Sequence, residues 1–276
     1  MESENKNMNN ENFLDRTKTT DKNDNLFSED VFLMSLGELL GMFFFVTTLA
    51  YGDASGLFFG MYVVLVVFAP ISGAHFNPIV TIAHFICFEK HSLSLKKVIF
   101  FILAQLFGAF LAIVLKYLLT DLVFAPVVYT NSIVNALFQE FFWSGWLVFM
   151  NLYICSTKTS PSKHFLINVA IMAGCIYFNI TATFKYTGAS LNPAIAIIGN
   201  LWGIIIRGPE LYAKSLWINS SAPLVGGIAF SIFFRYAFEP IYLKLRGITR
   251  KRAKSELVTS DNIDKELRSP DVVDSS

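Results

Sequence analysis

Residues 188–200 read GASLNPAIAIIGN, and residues 73–84 read GAHFNPIVTIAH. In both stretches an Asn-Pro pair separates small residues from a short apolar segment. Asparagine is a favoured helix N-cap and proline is favoured at the first helical position, so each pair predicts the start of a helix. Each apolar segment is shorter than the ~20 residues that cross a bilayer, which predicts two half-helices. Asn77 and Asn192 lie 115 positions apart and their flanking segments are similar, so we predict an internal repeat.

The composition is typical of a membrane protein. Of the 276 residues, 54% are hydrophobic and 16% are charged, and the mean hydropathy of +0.50 is too apolar for a soluble protein of this length. The formal charge of +1 indicates no nucleic-acid partner. Three cysteines, Cys87, Cys155 and Cys175, lie in or beside apolar runs without metal-ligand spacing, and we interpret them as packing residues.

Long apolar segments predict six membrane crossings. They are Val31–Tyr51, Leu57–Ile71, Val98–Leu119, Val134–Cys155, Phe165–Phe184 and Ala222–Leu243. The second segment is short and is expected to begin near Ala54. One half-helix follows the second crossing and the other follows the fifth. We therefore predict an all-α membrane protein with six transmembrane helices plus two re-entrant half-helices in an inverted 3+3 repeat.

Polar tails flank the predicted membrane domain, residues 31–243, which comprises one repeat at about 31–119 and a second at about 134–243. Residues 1–30 have the composition of a disordered tail, without the pattern of a cleaved signal peptide. Residues 244–276 are basic and then polar. Lysine and arginine also concentrate at 89–97 and 156–164, which predicts that both termini are cytoplasmic. The basic stretch Arg207–Lys214 is an exception on the outer side. Either the plasma membrane or an intracellular vesicle membrane fits this prediction.

The two Asn-Pro turns are expected to meet near the bilayer midplane. Irregular backbone survives at that depth only where protein surrounds it or where it lines a cavity. There Asn77 and Asn192 would present their side-chain amides, and the half-helices their positive N-terminal ends, toward one point. Such a point suits a neutral, hydrogen-bonding solute and repels cations.

With these features the chain resembles the aquaporin, or major intrinsic protein, family. The resemblance extends from about Ser35 to Leu243. Five motifs occur in the family's order: GELLG at 37–41, SGAHFNPIVT at 72–81, AQLFGA at 104–109, YTGASLNP at 186–193, and Pro223 followed by Gly226-Gly227. The resemblance implies a passive channel for water and small neutral solutes in the lipid bilayer, assembled as a homotetramer with a pore in each subunit. We expect no cofactor and no metal site.

Carried over residue by residue, the resemblance assigns the pore motifs to Asn77, Pro78 and Ile79 and to Asn192, Pro193 and Ala194. Glu38 and Glu140 would brace the two loops from behind through hydrogen bonds. Gln105 and His75 would brace the first loop. An ionisable group in the bilayer is costly without partners, which supports this bracing role. The alternatives for the two glutamates are a proton relay and a simple packing pair. For His75 the alternative is a gating or pH-sensing role.

Two positions depart from the family pattern. Ile195 stands where the family usually carries the arginine of the outer constriction, and Ile79 replaces an alanine, which is expected to add bulk near the pore centre. The rest of the constriction is assigned to Ile180, Ala189 and either Leu57 or Phe59. This apolar ring predicts slower water flux, because each group left without a hydrogen bond costs about 1–3 kcal/mol. Ala189 at a commonly reactive position predicts insensitivity to mercurials.

Water is the first predicted permeant, and glycerol, urea or dissolved gases are the second. The alternative is an aquaporin-fold protein that is closed at rest or non-conducting, acting as a gated channel or a membrane-organising protein; Ile79 and Ile195 motivate it. A secondary transporter is a third class, although the sequence has no obvious ion-coupling cluster. No catalytic constellation is visible, so we predict that the chain is not an enzyme. Candidate modification sites are Ser255, after a basic run, and the sequon at Asn219.

Overall fold

The computed structural model describes residues 29–88 and 93–247, and the regular elements in that part of the chain are helices. They are α1 (Glu29–Tyr51), α2 (Ala54–Ser72), α3 (Pro78–Cys87), α4 (Leu95–Thr120), α5 (Ile133–Cys155), α6 (Phe165–Thr187), α7 (Pro193–Arg207), α8 (Pro209–Phe233), a π-helical turn (Phe234–Phe238) and α9 (Glu239–Leu245). The predicted N-terminal tail up to residue 28, Ser255 and the C-terminal tail beyond residue 247 lie outside the described residues.

The predicted fold class is confirmed. Helices α1, α4, α5 and α6 are long and apolar enough to cross a bilayer, as is the continuous run from Pro209 to Leu245. The remaining crossing is α2, which has 19 residues and packs against α1 and α6. Each end of the first five crossings lies within three residues of its predicted position.

The sixth crossing begins earlier than the sequence predicts. Its predicted start is Ala222, but α8 begins at Pro209, separated from α7 only by Gly208. The polar serines at the start of α8 are satisfied within the helix, because their hydroxyl groups donate to carbonyl oxygens four residues earlier. These bonds run from Ser215 to Leu211 (3.1 Å), from Ser220 to Leu216 (2.5 Å) and from Ser221 to Trp217 (2.7 Å). The stretch Arg207–Lys214 is therefore a junction between two helices and not a loop.

Two reversals of chain direction create the half-helices α3 and α7. Helix α2 ends at Gly73 with φ of 94°, and α6 ends at Gly188 with φ of 74°. Both glycines adopt the left-handed conformation that a glycine C-cap allows. We call the membrane side that carries Glu29 and Gly247 the inner side. Half-helix α3 returns to this inner side, and α7 returns to the opposite, outer side.

The long crossings pack closely at glycines. At Gly108 of α4 a Cβ atom would overlap the carbonyl oxygen of Leu39 in α1, and at Gly226 of α8 it would overlap that of Phe141 in α5. Leu39 and Phe141 are 102 positions apart, as are the two predicted bracing glutamates. Close helix packing of this kind is typical of small residues in membrane proteins, and here it sets both glutamates at equivalent positions behind the Asn-Pro turns.

Candidate functional site

The two Asn-Pro turns meet and are joined by a reciprocal pair of hydrogen bonds. Asn77 Nδ2 donates to the carbonyl oxygen of Leu191 at 2.8 Å, and Asn192 Nδ2 donates to that of Phe76 at 2.7 Å. Each asparagine Oδ1 accepts from the backbone N–H of the second residue of its own half-helix, at 3.1 Å in α3 and 3.0 Å in α7. An amide nitrogen carries two hydrogens. Within the described chain, each asparagine therefore keeps one hydrogen for a solute.

Both asparagines line a cavity of about 50 Å³, which has room for roughly three to five water molecules. Its outer half is lined by Phe45, Leu49, Ile176, Ile180, Ala189, Ser190 and Ile195. Its inner half is lined by Leu65, Ala74, His75, Val80, Leu147, Asn151 and Met172. The Asn-Pro turns lie between the two halves. The outer half is therefore apolar except for the Ser190 hydroxyl, whereas the inner half carries an imidazole, an amide and a thioether.

The residues predicted for the outer constriction do not all reach the cavity. Those that line it are Ile180, Ala189 and Ile195, and the second crossing contributes Leu65. Phe59 is 65% exposed on the outside of the bundle, so its assignment is corrected. Leu57 is half-buried and packs against the apolar core that contains Ile195, without lining the cavity. Because α2 is apolar on every face, its sequence does not fix which face turns inward.

Glu38 is fully buried and accepts four hydrogen bonds behind the first turn. Its Oε1 accepts from Ser72 Oγ at 2.6 Å and from the backbone N–H of His75 at 2.9 Å. Its Oε2 accepts from the backbone N–H of Phe76 at 2.9 Å and from Gln105 Nε2 at 2.7 Å. These four donors give the buried carboxyl the partners that such a group requires.

Glu140 repeats this arrangement behind the second turn. Its Oε1 accepts from Thr187 Oγ1 at 2.5 Å and from the backbone N–H of Ser190 at 3.1 Å. Its Oε2 accepts from the backbone N–H of Leu191 at 2.9 Å. Each of these donors lies 115 positions after a donor to Glu38. The internal repeat therefore extends to individual hydrogen bonds.

The same bonds orient backbone carbonyls toward the cavity. Peptide bonds in the described ranges are trans, so the N–H and C=O of one peptide point in opposite directions. Glu38 accepts from the N–H groups of His75 and Phe76. The carbonyls of the same two peptides, those of Ala74 and His75, therefore point away from Glu38 and toward the cavity. Ala74 and Phe76 adopt positive φ of 49° and 46° to make this turn, an uncommon conformation for residues with a Cβ atom.

Besides its glutamate, each turn is supported by a side-chain amide, and this amide differs between the two turns. Behind the first, Gln105 Nε2 also donates to Thr81 Oγ1 at 3.0 Å, which ties α4 to α3. Behind the second, Asn219 Nδ2 donates to the carbonyls of Pro126 and Thr187, each at 3.1 Å. Asn219 was not among the predicted site residues. It is fully buried within α8, so its sequon is inaccessible for glycosylation. Its signal in the sequence is a polar residue shortly before the glycines that pack α8 closely.

Two histidine rings lie on the inner side of the first turn. His75 Nδ1 is 3.1 Å from Thr81 Oγ1, and the ring centroids of His75 and His84 are 4.3 Å apart. His84 Nε2 lies 2.7 Å from Asn151 Oδ1, and because that oxygen only accepts, the imidazole donates. Sequence reasoning missed His84 and Asn151. The available signal was a polar side chain inside an otherwise apolar half-helix, and another inside an apolar crossing.

Ile79 does not narrow the cavity, contrary to expectation. Its side chain is 2% exposed and belongs to an apolar cluster with Val148 and Leu152 of α5. A Cβ atom added at Gly227 would lie 3.0 Å from Ile79 Cβ, so the isoleucine fills the space that this glycine leaves. The residue after Asn77-Pro78 therefore faces the neighbouring crossings and not the cavity.

Comparisons with known proteins agree with this architecture. A family model described as Major intrinsic protein matches residues 33–234. Aquaporin-4 of Bos taurus is 30% identical over 207 residues, which cover 69% of this chain and 58% of that protein, so the match spans less than two thirds of its length. Aquaporin TIP1-1 of Arabidopsis thaliana is 30% identical over 188 residues, covering 64% of this chain and 68% of that protein. The X-ray structure of the aquaglyceroporin from Plasmodium falciparum has a similar fold, with a TM-score of 0.65 and 23% identity over 77% of this chain and 97% of that chain.

Proposed function

The chain belongs to the major intrinsic protein family, whose members are channels and not enzymes, and from that premise we propose that it is a passive transmembrane channel for water and small neutral solutes. One observation carries the proposal: Asn77 and Asn192 converge on a single cavity, each with an amide hydrogen available to a solute. A water molecule there can exchange one hydrogen bond for another as it passes. An osmotic or concentration gradient drives the flow.

Two effects exclude ions in this proposal: the positive ends of the half-helices and the apolar outer half of the cavity. Both α3 and α7 begin at the cavity, so their positive N-terminal ends disfavour a cation there. The apolar outer half gives no replacement for the hydration shell that an ion loses. With Ile195 at the usual arginine position, exclusion depends on these two effects and is weaker than with a fixed cation. Ion currents in a planar bilayer should stay near background.

Water is the principal permeant in this proposal, and glycerol, urea and dissolved gases follow. Among the described residues the outer half contributes six apolar side chains and the Ser190 hydroxyl, so polar contacts there come from that hydroxyl and from backbone carbonyls. Each hydrogen bond that a solute loses without replacement costs about 1–3 kcal/mol. Water flux should therefore be slower than through a pore of the same width with a polar outer constriction.

A channel closed at rest, or a non-conducting membrane-organising protein, is the alternative. Ile79 and Ile195 motivate it, because both are bulky residues at positions that the family resemblance places in the pore. Ile79 packs against α5 and α8, which removes one of these reasons. Ile195 lines the cavity and leaves the other reason in place.

We also propose that both termini are cytoplasmic and that the protein is a homotetramer in the plasma membrane or a vesicle membrane. Lys158, Lys244 and Arg246 lie on the inner side, where basic residues favour the cytoplasm. Apolar side chains such as Val67 and Phe107 are about half exposed on the bundle surface, where they suit contact with lipid or neighbouring subunits. Protease protection of tagged termini in sealed vesicles tests the orientation, and mass measurement in detergent tests the assembly.

The channel proposal is tested by osmotic shrinkage of proteoliposomes followed by light scattering. Purified protein is exposed first to an impermeant osmolyte and then to urea or glycerol, beside protein-free liposomes and a matched Ile195→Arg sample. Water flux well above that of protein-free liposomes is expected. Absence of flux in the native protein and in a form lacking residues 1–28, at normal folding and incorporation, would favour the non-conducting alternative.

A further inference from the structure

The inner and outer halves of the cavity differ in polarity although the internal repeat relates them. Leu49 in the outer wall and Asn151 in the inner wall are 102 positions apart, the same offset that separates the bracing glutamates. His75 corresponds to Ser190 by the 115-residue offset. The Ser190 hydroxyl is already engaged, because it lies 3.2 Å from the carbonyl oxygen of Asn192 and 3.3 Å from that of Asn219. Among the described residues, and apart from the asparagines of the two turns, a free side-chain donor therefore lies only on the inner wall.

Asn151 is held in place by His84. The imidazole Nε2–H donates to Asn151 Oδ1 at 2.7 Å, and Asn151 is 9% exposed. Its Nδ2 has only a weak described contact, to Met172 Sδ at 3.9 Å, so it can donate to a solute. The outer half lacks this support, since His84 corresponds to Gly199, where a Cβ atom would meet the carbonyl oxygen of Phe124 at 3.0 Å.

His75 supplies a hydrogen-bond acceptor beside this donor. Thr81 Oγ1 accepts from Gln105 and lies 3.3 Å from the carbonyl oxygen of Asn77, to which it donates its own hydrogen. It therefore takes a hydrogen from His75 Nδ1, 3.1 Å away. A neutral imidazole protonated at Nδ1 has an acceptor at Nε2. The inner wall thus combines one donor and one acceptor next to the asparagines of the two turns.

We propose that solute selection takes place at this inner polar site, formed by His75 and Asn151 with His84 as a positioning residue. The inference rests on the proposed channel function and names its specificity-determining residues. The site favours small neutral molecules that carry both donors and acceptors, namely amides and polyols besides water. The apolar outer half acts as a passage of limited width and contributes little to discrimination.

The test compares urea and water permeability in proteoliposomes. The central variant is Asn151→Leu combined with His84→Leu, because removing both partners leaves neither one buried without a hydrogen bond. The urea-to-water ratio should fall about fivefold, the equivalent of one hydrogen bond. His84→Leu alone should lower the ratio, whereas His84→Gln keeps a donor for Asn151 and should restore it. Leu49→Met, at the repeat-related outer position, is the outer-wall comparison and should change the ratio by less than the inner variants do. Val67→Leu, exposed on the outside of the bundle, is the control and should leave the ratio unchanged.

The outcomes separate this inference from the channel proposal. If the native protein conducts but the inner variants slow urea and water by the same factor, the residues are merely structural and the inference is overturned. It is also overturned if Leu49→Met changes the ratio as much as the inner variants do. Absence of native flux for water and for urea would overturn the channel proposal, and this inference with it.

Discussion

Replacing Glu140 with glutamine tests whether the second Asn-Pro turn depends on its carboxyl group. Glutamine keeps one acceptor oxygen, which can serve Thr187 and Ser190, but its NH₂ group would face the backbone N–H of Leu191, now 2.9 Å from Oε2. That buried N–H would lose its acceptor, so the free energy of unfolding should fall by about 1–3 kcal/mol. Because the Leu191 carbonyl binds Asn77, the link between the two turns should weaken as well.

The matching exchange Glu38→Gln provides an internal comparison. It would leave the backbone N–H of Phe76 without its acceptor, at the same cost of about 1–3 kcal/mol. Gln105 can compensate for its own lost bond, because its Oε1 is buried without a partner among the described residues and can turn toward the new amide. The two single variants should therefore lose similar stability. Adding Gln105→Leu to Glu38→Gln removes this compensation and should cost about 1–3 kcal/mol more.

The assay is thermal unfolding in detergent, followed by the intrinsic fluorescence of the 4 tryptophans, together with water permeability of the reconstituted protein. Glu210→Gln, an exchange at an exposed glutamate in the first turn of α8, is the control and should change the melting temperature little. Melting temperatures of both core variants equal to that of the native protein would refute the bracing argument.

Three further predictions follow from the packing. Ile79→Ala should leave water permeability within about twofold of native but lower the free energy of unfolding by about 2–5 kcal/mol, because it empties a packed site outside the cavity; a large rise in flux would mean that Ile79 obstructs the pore. Gly226→Ala should lower the melting temperature, because its Cβ atom would overlap the Phe141 carbonyl oxygen and force α5 and α8 apart. The free energy of unfolding should fall by about 1–3 kcal/mol, and an unchanged melting temperature would contradict this packing. Protein made in a glycosylating host should not change in mass on treatment with a glycosidase, because Asn219 is buried; a shift that disappears in Asn219→Gln would contradict its position in α8.

The elements that the sequence predicts well are those with a local physical signal. Asn77 and Asn192 are followed by proline, so cap and first helical residue together locate α3 and α7. Length and hydropathy locate the first five crossings. The family resemblance placed Glu38 and Glu140 behind the turns, and a buried carboxyl needs donors. Their partners are those that a brace requires, although the bracing role stays a prediction.

The elements that the sequence does not predict depend on rotation of a helix about its axis. Crossings that are apolar all round carry no amphipathic signal, so the inward face of α2 could not be chosen and Leu65 was missed. Ile79 was expected near the pore because it replaces the alanine of the family motif, whereas its contacts with Val148 and Leu152 join distant parts of the chain. His84 and Asn151 were missed because their bond joins residues 67 positions apart, which no local pattern encodes. The early start of α8 was missed because its serines are satisfied within the helix.

The central claim is that solutes pass through the cavity on which the two Asn-Pro turns converge. It is tested most directly by Ala189→Cys, which places a thiol on the outer wall of that cavity. The native protein, whose described cysteines lie away from the cavity lining, should conduct water unchanged in a membrane-impermeant mercurial. The variant should be blocked by the same reagent and recover on addition of a reducing thiol. Block of the native protein, or an unblocked variant whose thiol has reacted, would contradict the assignment of the pathway.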